Sequence, residues 1–84
     1  MPLQKAAPKP ELINVHQVYT SKDIINYLRL GDHDVTEGLF YQAKRYGRAT
    51  FEYQNQKYDI IKNKDGSFTI ALSLEQDVNT EEYA

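Results

Sequence analysis

The stretch TFEYQNQKYDIIKNKDGSFTIALS, residues 50–73, admits few folds. Its apolar residues alternate with polar ones, and it is punctuated at Asn55-Gln56 and at NKDGS. Successive strand residues point to opposite faces, so a one-residue slip in pairing turns the whole apolar set towards water. A two-residue turn at Asn55-Gln56 sets Tyr53 opposite Tyr58 and Phe51 opposite Ile60, all on one side. For the second hairpin, a two-residue Asp65-Gly66 turn sets Ile60 opposite Ala71 and breaks that side. A three-residue loop with Gly66 in the left-handed conformation pairs Lys62 with Phe68, Ile60 with Ile70 and Tyr58 with Leu72. NKDG also suits a type I turn followed by a bulge, because glycine takes positive φ freely. The pattern therefore predicts a three-strand antiparallel meander at about 49–54, 57–63 and 67–74, with one apolar side.

Two helices are expected before it. In TSKDIINYLRLGD, Thr20 or Ser21 caps the N-terminus and Asp23 favours the first turn. Ile24, Ile25, Tyr27 and Leu28 make one apolar face, and Gly31 is a left-handed stop. This helix spans about 21–30. In DHDVTEGLFYQAKRYGR, Asp34 followed by Glu37 resembles a capping box, and Gly47 ends the second helix. At about 100° per residue, Val35, Leu39, Ala43 and Tyr46 fall within roughly 80° of one another, flanked by Phe40. They form the expected buried face, with Glu37, Tyr41, Lys44, Arg45 and Arg48 opposite. The segment ELINVHQVY, residues 11–19, favours a short strand over a helical turn, and periodicity leaves both open.

The 84 residues suffice for one small domain. We expect a single α+β domain at 11–74, with two helices packed on a three- or four-stranded antiparallel sheet. A flexible Pro-rich arm, 1–10, precedes it and an acidic flexible tail, 75–84, follows. In so small a chain, burial minus ordering entropy comes out near zero, so a partner or a dimer bears on stability. There is no Cys, which suits a reducing compartment. No signal-like or membrane-length apolar run occurs, and a cytoplasmic protein with no membrane contact is expected.

Little in the chain points to catalysis. The serines read as cap, turn and outward strand positions, and no Gly-rich phosphate loop exists. The cluster Asp32-His33-Asp34 offers a carboxylate–His pair, or a metal site with His16. A helix–helix turn capped by Asp34 explains it better, since adjacent residues rarely converge on one ion. No enzyme activity, cofactor or metal is expected.

Two surfaces stand out instead. The net charge is −2, yet residues 44–64 carry six cations against two acids. Tyr41, Lys44, Arg45 and Arg48 recur at helical spacing, with Lys62 and Lys64 beside the second hairpin turn. A solvated helix end accounts for such a cluster, since cations favour helix C-termini. A nucleic-acid face accounts for it too. YLRLGD before the second helix, then the hairpin FEYQNQKYDI, resembles at pattern level the small phage excisionase and MerR-type domains, without a diagnostic motif. That resemblance implies a winged helix-turn-helix, with the second helix in the major groove and KNKDG as the wing. The chain departs from it in an acidic turn before the second helix and in a third strand.

The second surface is the strand SFTIALS, read as a sheet edge with Thr69, Ala71 and Ser73 outward. Small uncharged outward residues guard poorly against strand addition, by another protein or by a second copy in a homodimer. Seven tyrosines and three phenylalanines suit an interaction surface, although Tyr27, Tyr46, Tyr53 and Tyr58 are expected to help build the core. The leading expectation is a small noncatalytic protein-binding chain of regulatory, adaptor or inhibitor type. The alternative is a DNA-binding regulator of winged-helix type.

Overall fold

A computed structural model describes residues 9–74. The arm up to residue 8 and the acidic tail at 75–84 lie outside the described residues. The elements run β1 (Glu11–Ile13), β2 (His16–Tyr19), α1 (Lys22–Leu30), α2 (His33–Tyr46), β3 (Arg48–Tyr53), β4 (Gln56–Lys62) and β5 (Phe68–Leu72). The class is α+β, as expected. The sheet has five strands rather than three or four, and it is mixed rather than purely antiparallel. Its order is β1-β2-β5-β4-β3, with β2 parallel to β5 and every other pair antiparallel.

Residues 11–19 form the β1–β2 hairpin, closed by Ile13 and His16, with Asn14 at positive φ in a two-residue loop. The second expected hairpin register is the observed one, with Lys62 opposite Phe68, Ile60 opposite Ile70 and Tyr58 opposite Leu72. Its loop has Gly66 at φ +93°, with Gly66 N–H donating to Asn63 O and Asn63 N–H to Ser67 O. The first hairpin turns one residue earlier than expected, at Gln54-Asn55, so Phe51 faces Tyr58 and Ala49 faces Ile60. Both turn residues have positive φ, the type I′ geometry that matches strand twist. The resulting two-residue shift preserves the face of every side chain.

The core joins the two helices to one side of the sheet. Ile13, Val18, Ala49, Ile60, Phe68 and Ile70 meet Ile24, Ile25 and Leu28 of α1 and Phe40 and Ala43 of α2. The α1 face is as expected except for Tyr27, which is 43% exposed and stacks against Tyr53 and Phe51 at the rim. Gly31 is extended, not left-handed. A Cβ there would lie 3.3 Å from Tyr27 O.

Helix α2 is rotated from the expected face. Its buried residues are Thr36, Phe40 and Ala43, while Val35 is 63% and Tyr46 72% exposed. The N-cap is Asp32, whose Oδ2 accepts from Val35 N–H at 2.9 Å, and not Asp34. Thr36 enters the core because its hydroxyl donates to Leu28 O, which ties the two helices at their junction. Phe40 is fully buried under His16 and Phe68, with ring centroids 4.4 and 5.0 Å away. A large ring held there sets the rotation, and Val35 and Tyr46 are left on the flank.

Candidate interaction surface

The six residues read as one basic face divide among three places. Tyr41 and Arg45 are exposed on the outer side of α2, and the Arg45 guanidinium lies 5.6 Å from the Tyr46 ring centre. Lys44 turns towards the β1–β2 loop and the β4–β5 loop, where it lines a cleft of about 360 Å³ with Val15, His16, Gln17, Asp65, Gly66 and Ser67. Lys62 and Lys64 are exposed at that same end. An acid sits among them. Asp65 Oδ1 accepts from the hydroxyl and N–H of Ser67 at 2.6 and 2.9 Å, and these bonds hold its carboxyl below the usual range.

Arg48 does not belong to the helix. Gly47, at φ +89°, ends α2 and reverses the chain, so Arg48 opens β3. Its side chain lies on the sheet face away from the helices, with Nη1 3.7 Å from Asp59 Oδ2. Asp59 is buried on that face and accepts from the Thr50 hydroxyl at 2.8 Å.

The strand holding Thr69 and Ala71 is internal to the sheet order rather than an edge, with Ser73 just past its end. Thr69 lies between Tyr19 and Ile61, and the Thr20 hydroxyl donates to Ile70 O. Beyond that point β2 no longer pairs with β5, so Ala71 is matched on the β4 side, opposite Asp59. Ser73 is buried, and its N–H donates to Lys57 O at 2.9 Å. The reason is topological. The N-terminal hairpin, whose strand character the sequence left open, returns beside β5 and fills the position the meander alone leaves vacant.

Among the described residues the edges of the sheet are β1 and β3. The outward carbonyl of β1, Leu12 O, accepts from Arg29 Nε and Nη2 at 2.9 and 2.7 Å. That contact occupies the short edge. In β3, Gly47 O accepts from Lys62 N–H, so the odd-numbered backbone groups bond β4. The amides and carbonyls of Thr50 and Glu52 then point away from the sheet.

Beside this edge lies an apolar groove of about 280 Å³. Tyr27 and Leu28 of α1, Val35 and Leu39 of α2, and Phe51 of β3 line it, with Asp32 and Glu52 among its polar residues. Tyr53 and Tyr58 extend the aromatic wall, with Phe51 and Tyr58 stacked at 5.8 Å. At ~100° per residue, Val35, Tyr46 and Leu39 fall within roughly 40° of one another and adjoin the buried arc of Ala43, Thr36 and Phe40. Helix α2 thus carries one broad apolar side, of which Phe40, Thr36 and Ala43 enter the core, Leu39 is partly buried, and Val35 and Tyr46 stay exposed. From Val35 round to Phe40 it spans roughly 140°, enough for a core contact and an exposed apolar flank beside it.

Among the described residues no group of His, Asp and Glu is arranged to hold a metal ion. Asp32 is spent as a cap, and His16 bonds Glu37. None of the described helices is long and apolar enough to cross a membrane. No family model matches the chain, and no curated protein or solved structure is significantly similar to it.

Proposed function

We propose that this chain is a small noncatalytic binding protein of regulatory, adaptor or inhibitor type, acting in the cytoplasm on a protein target. One observation carries the reading: an open sheet edge, β3, runs beside an exposed apolar stripe on α2. Unpaired strand groups offer directional hydrogen bonds, and an adjacent apolar groove offers area and side-chain selection. Exposed apolar surface beside a polar rim marks interaction sites on soluble domains. The basic residues form a weaker case for DNA, because Arg48 lies on the opposite layer from Tyr41 and Arg45, and Asp65 sits beside Lys44.

Random peptides displayed on phage, selected against the protein immobilised at low density, test the reading. Binders are expected that lose affinity for Val35→Glu and shift the amide resonances of Tyr27, Leu39 and Phe51. A parallel titration with a short DNA duplex at low and high salt tests the other function. If no binder is sensitive to Val35→Glu, and DNA instead shifts Tyr41, Lys44, Arg45, Lys62 and Lys64 in a salt-dependent way, the winged-helix reading replaces this one.

A further inference from the structure

We infer that the partner of this surface is a second copy of the chain, docked edge to edge through β3 in antiparallel register about a two-fold axis at Thr50. The inference rests on the reading of β3 and its groove as a protein-binding surface. What selects the occupant is the charge order along the edge. Arg48, Thr50 and Glu52 are the exposed residues of β3 on the sheet face opposite the helices. They are also the ones whose backbone groups point outward, as the Gly47–Lys62 bond fixes.

Pair this edge with itself about Thr50 and every outward group meets an outward group. Thr50 faces Thr50, Arg48 faces Glu52 and Glu52 faces Arg48. Opposite charges across a strand pair stabilise it, and like charges directly opposite destabilise it. Slipping the register by four residues in either direction puts Arg48 opposite Arg48 or Glu52 opposite Glu52. A charged edge ordinarily discourages pairing. Slips of two residues set Arg48 or Glu52 opposite Thr50 and lose both Arg48–Glu52 pairs, so the symmetric register is the one in which both charges of each copy are matched. A two-fold contact requires such a self-complementary patch.

The apolar stripe fits the same axis. Helix α2 joins β3 through Gly47 alone and lines the groove with it through Val35, Leu39, Phe51 and Glu52, so the two run in roughly opposite directions in adjacent layers. Thr50 is roughly 10 Å along the strand from Gly47, a distance α2 covers in roughly seven residues. Leu39 therefore lies near the level of the axis. The α2 stripe of one copy would pack against that of the other, with Val35 towards the partner's Tyr46. Such contact covers two apolar residues that the monomer leaves 63% and 72% exposed. The product is a ten-stranded sheet with the helices of both copies on one side. The β1 edges stay outermost, each with Leu12 O held by Arg29.

Sedimentation of the full chain from micromolar to millimolar concentration reads the association directly. The mass should rise from 9.8 kDa towards twice that value. Glu52→Lys sets a cation opposite the partner's Arg48 and should weaken association at least roughly tenfold. Because residue 52 also faces Lys57 on β4 of its own chain, the dilute melting curve should fall slightly as well. Val35→Glu is the second variant, independent of the strand charges, and should weaken association likewise. The chain lacks cysteine, so Thr50→Cys supplies a single thiol. A short bis-maleimide should cross-link it efficiently, because directly opposed strand residues sit about 5.5 Å apart, and should leave Leu12→Cys uncross-linked. A mass of 9.8 kDa at millimolar concentration overturns the inference. So does a dimer indifferent to both variants and silent in the Thr50→Cys cross-link. If the wild type stays monomeric while selected peptides bind in a Val35-dependent manner, the self-association falls and the protein-binding reading stands. If neither occurs, both fall.

Discussion

His16 Nε2 lies 3.0 Å from Glu37 Oε1 and 3.1 Å from Oε2, which bonds the N-terminal hairpin to the second helix. With the carboxylate ionised, the imidazole N–H is the donor. The ring stacks on Phe40, and Asn14 adds a second donor to Glu37 from the hairpin loop. This contact fastens β1 and β2 over α2, and it does so with charge. The His16 hydrogen bond is the main cause holding the Glu37 carboxyl below its ordinary 4.5, with the Asn14 bond adding to it.

A group whose folded pKa is depressed contributes stability that is fully present above its unfolded value. That contribution is lost as pH falls through the folded value. Wild type should therefore melt above Glu37→Gln at neutral pH. The gap should close as the pH drops from about 4.5 through the folded value, because both proteins then carry an uncharged side chain. Thermal melts followed by circular dichroism across that range check the sign. A gap that stays constant means the contact is not ionic.

The rotation of α2 is testable by truncation. Phe40 is fully buried, so Phe40→Ala should cost about 3–5 kcal/mol. Val35→Ala, at an exposed position, should change dilute-solution stability by no more than about 0.5 kcal/mol. Urea denaturation at micromolar concentration measures both. Comparable losses at the two sites would restore the face with Val35 inward.

Gln54 and Asn55 occupy left-handed conformations at φ 53° and 64°. Gln54 is poorly suited to that region, and Asn-Gly is the preferred pair for a type I′ turn. Combining Gln54→Asn with Asn55→Gly should stabilise the domain by about 0.5–1 kcal/mol. A raised urea midpoint with an unchanged slope is the expected result. A fall would argue for the turn one residue later, at Asn55-Gln56.

Asp32 is the only residue of the DHD cluster with a capping bond, accepting from Val35 N–H. Asp32→Ala should cost about 1 kcal/mol, the usual loss for an N-cap, and Asp34→Ala much less. Denaturation of the two variants side by side distinguishes the caps.

Parts of this architecture are legible from residues alone. The β4–β5 register follows from parity and from one glycine, since only a loop with Gly66 at positive φ keeps Phe68, Ile70 and Leu72 on the side of Ile60 and Tyr58. Helix α1 follows from the spacing of Ile24, Ile25 and Leu28. These signals are local, so a single chain carries them. The basic cluster failed for an equally physical reason. A helical wheel extended past Gly47 carries Arg48 with it, although Gly47 ends the helix. One left-handed residue moves Arg48 to another element and another layer.

What the sequence by itself determined is the set of choices enforced within a few residues: a hairpin loop, a helix stop, the alternation that gives the meander one apolar side. Only the tertiary structure decided which part of the broad apolar side of α2 goes inside, because Val35-Leu39-Tyr46 and Thr36-Phe40-Ala43 are both adequate until His16 and Phe68 arrive to enclose Phe40. Only the tertiary structure decided which strand is the edge. The hairpin at residues 11–19 reaches β5 across some fifty residues of chain, and no local pattern encodes a pairing between segments so far apart. That pairing places β5 inside the sheet and leaves β3 at its edge.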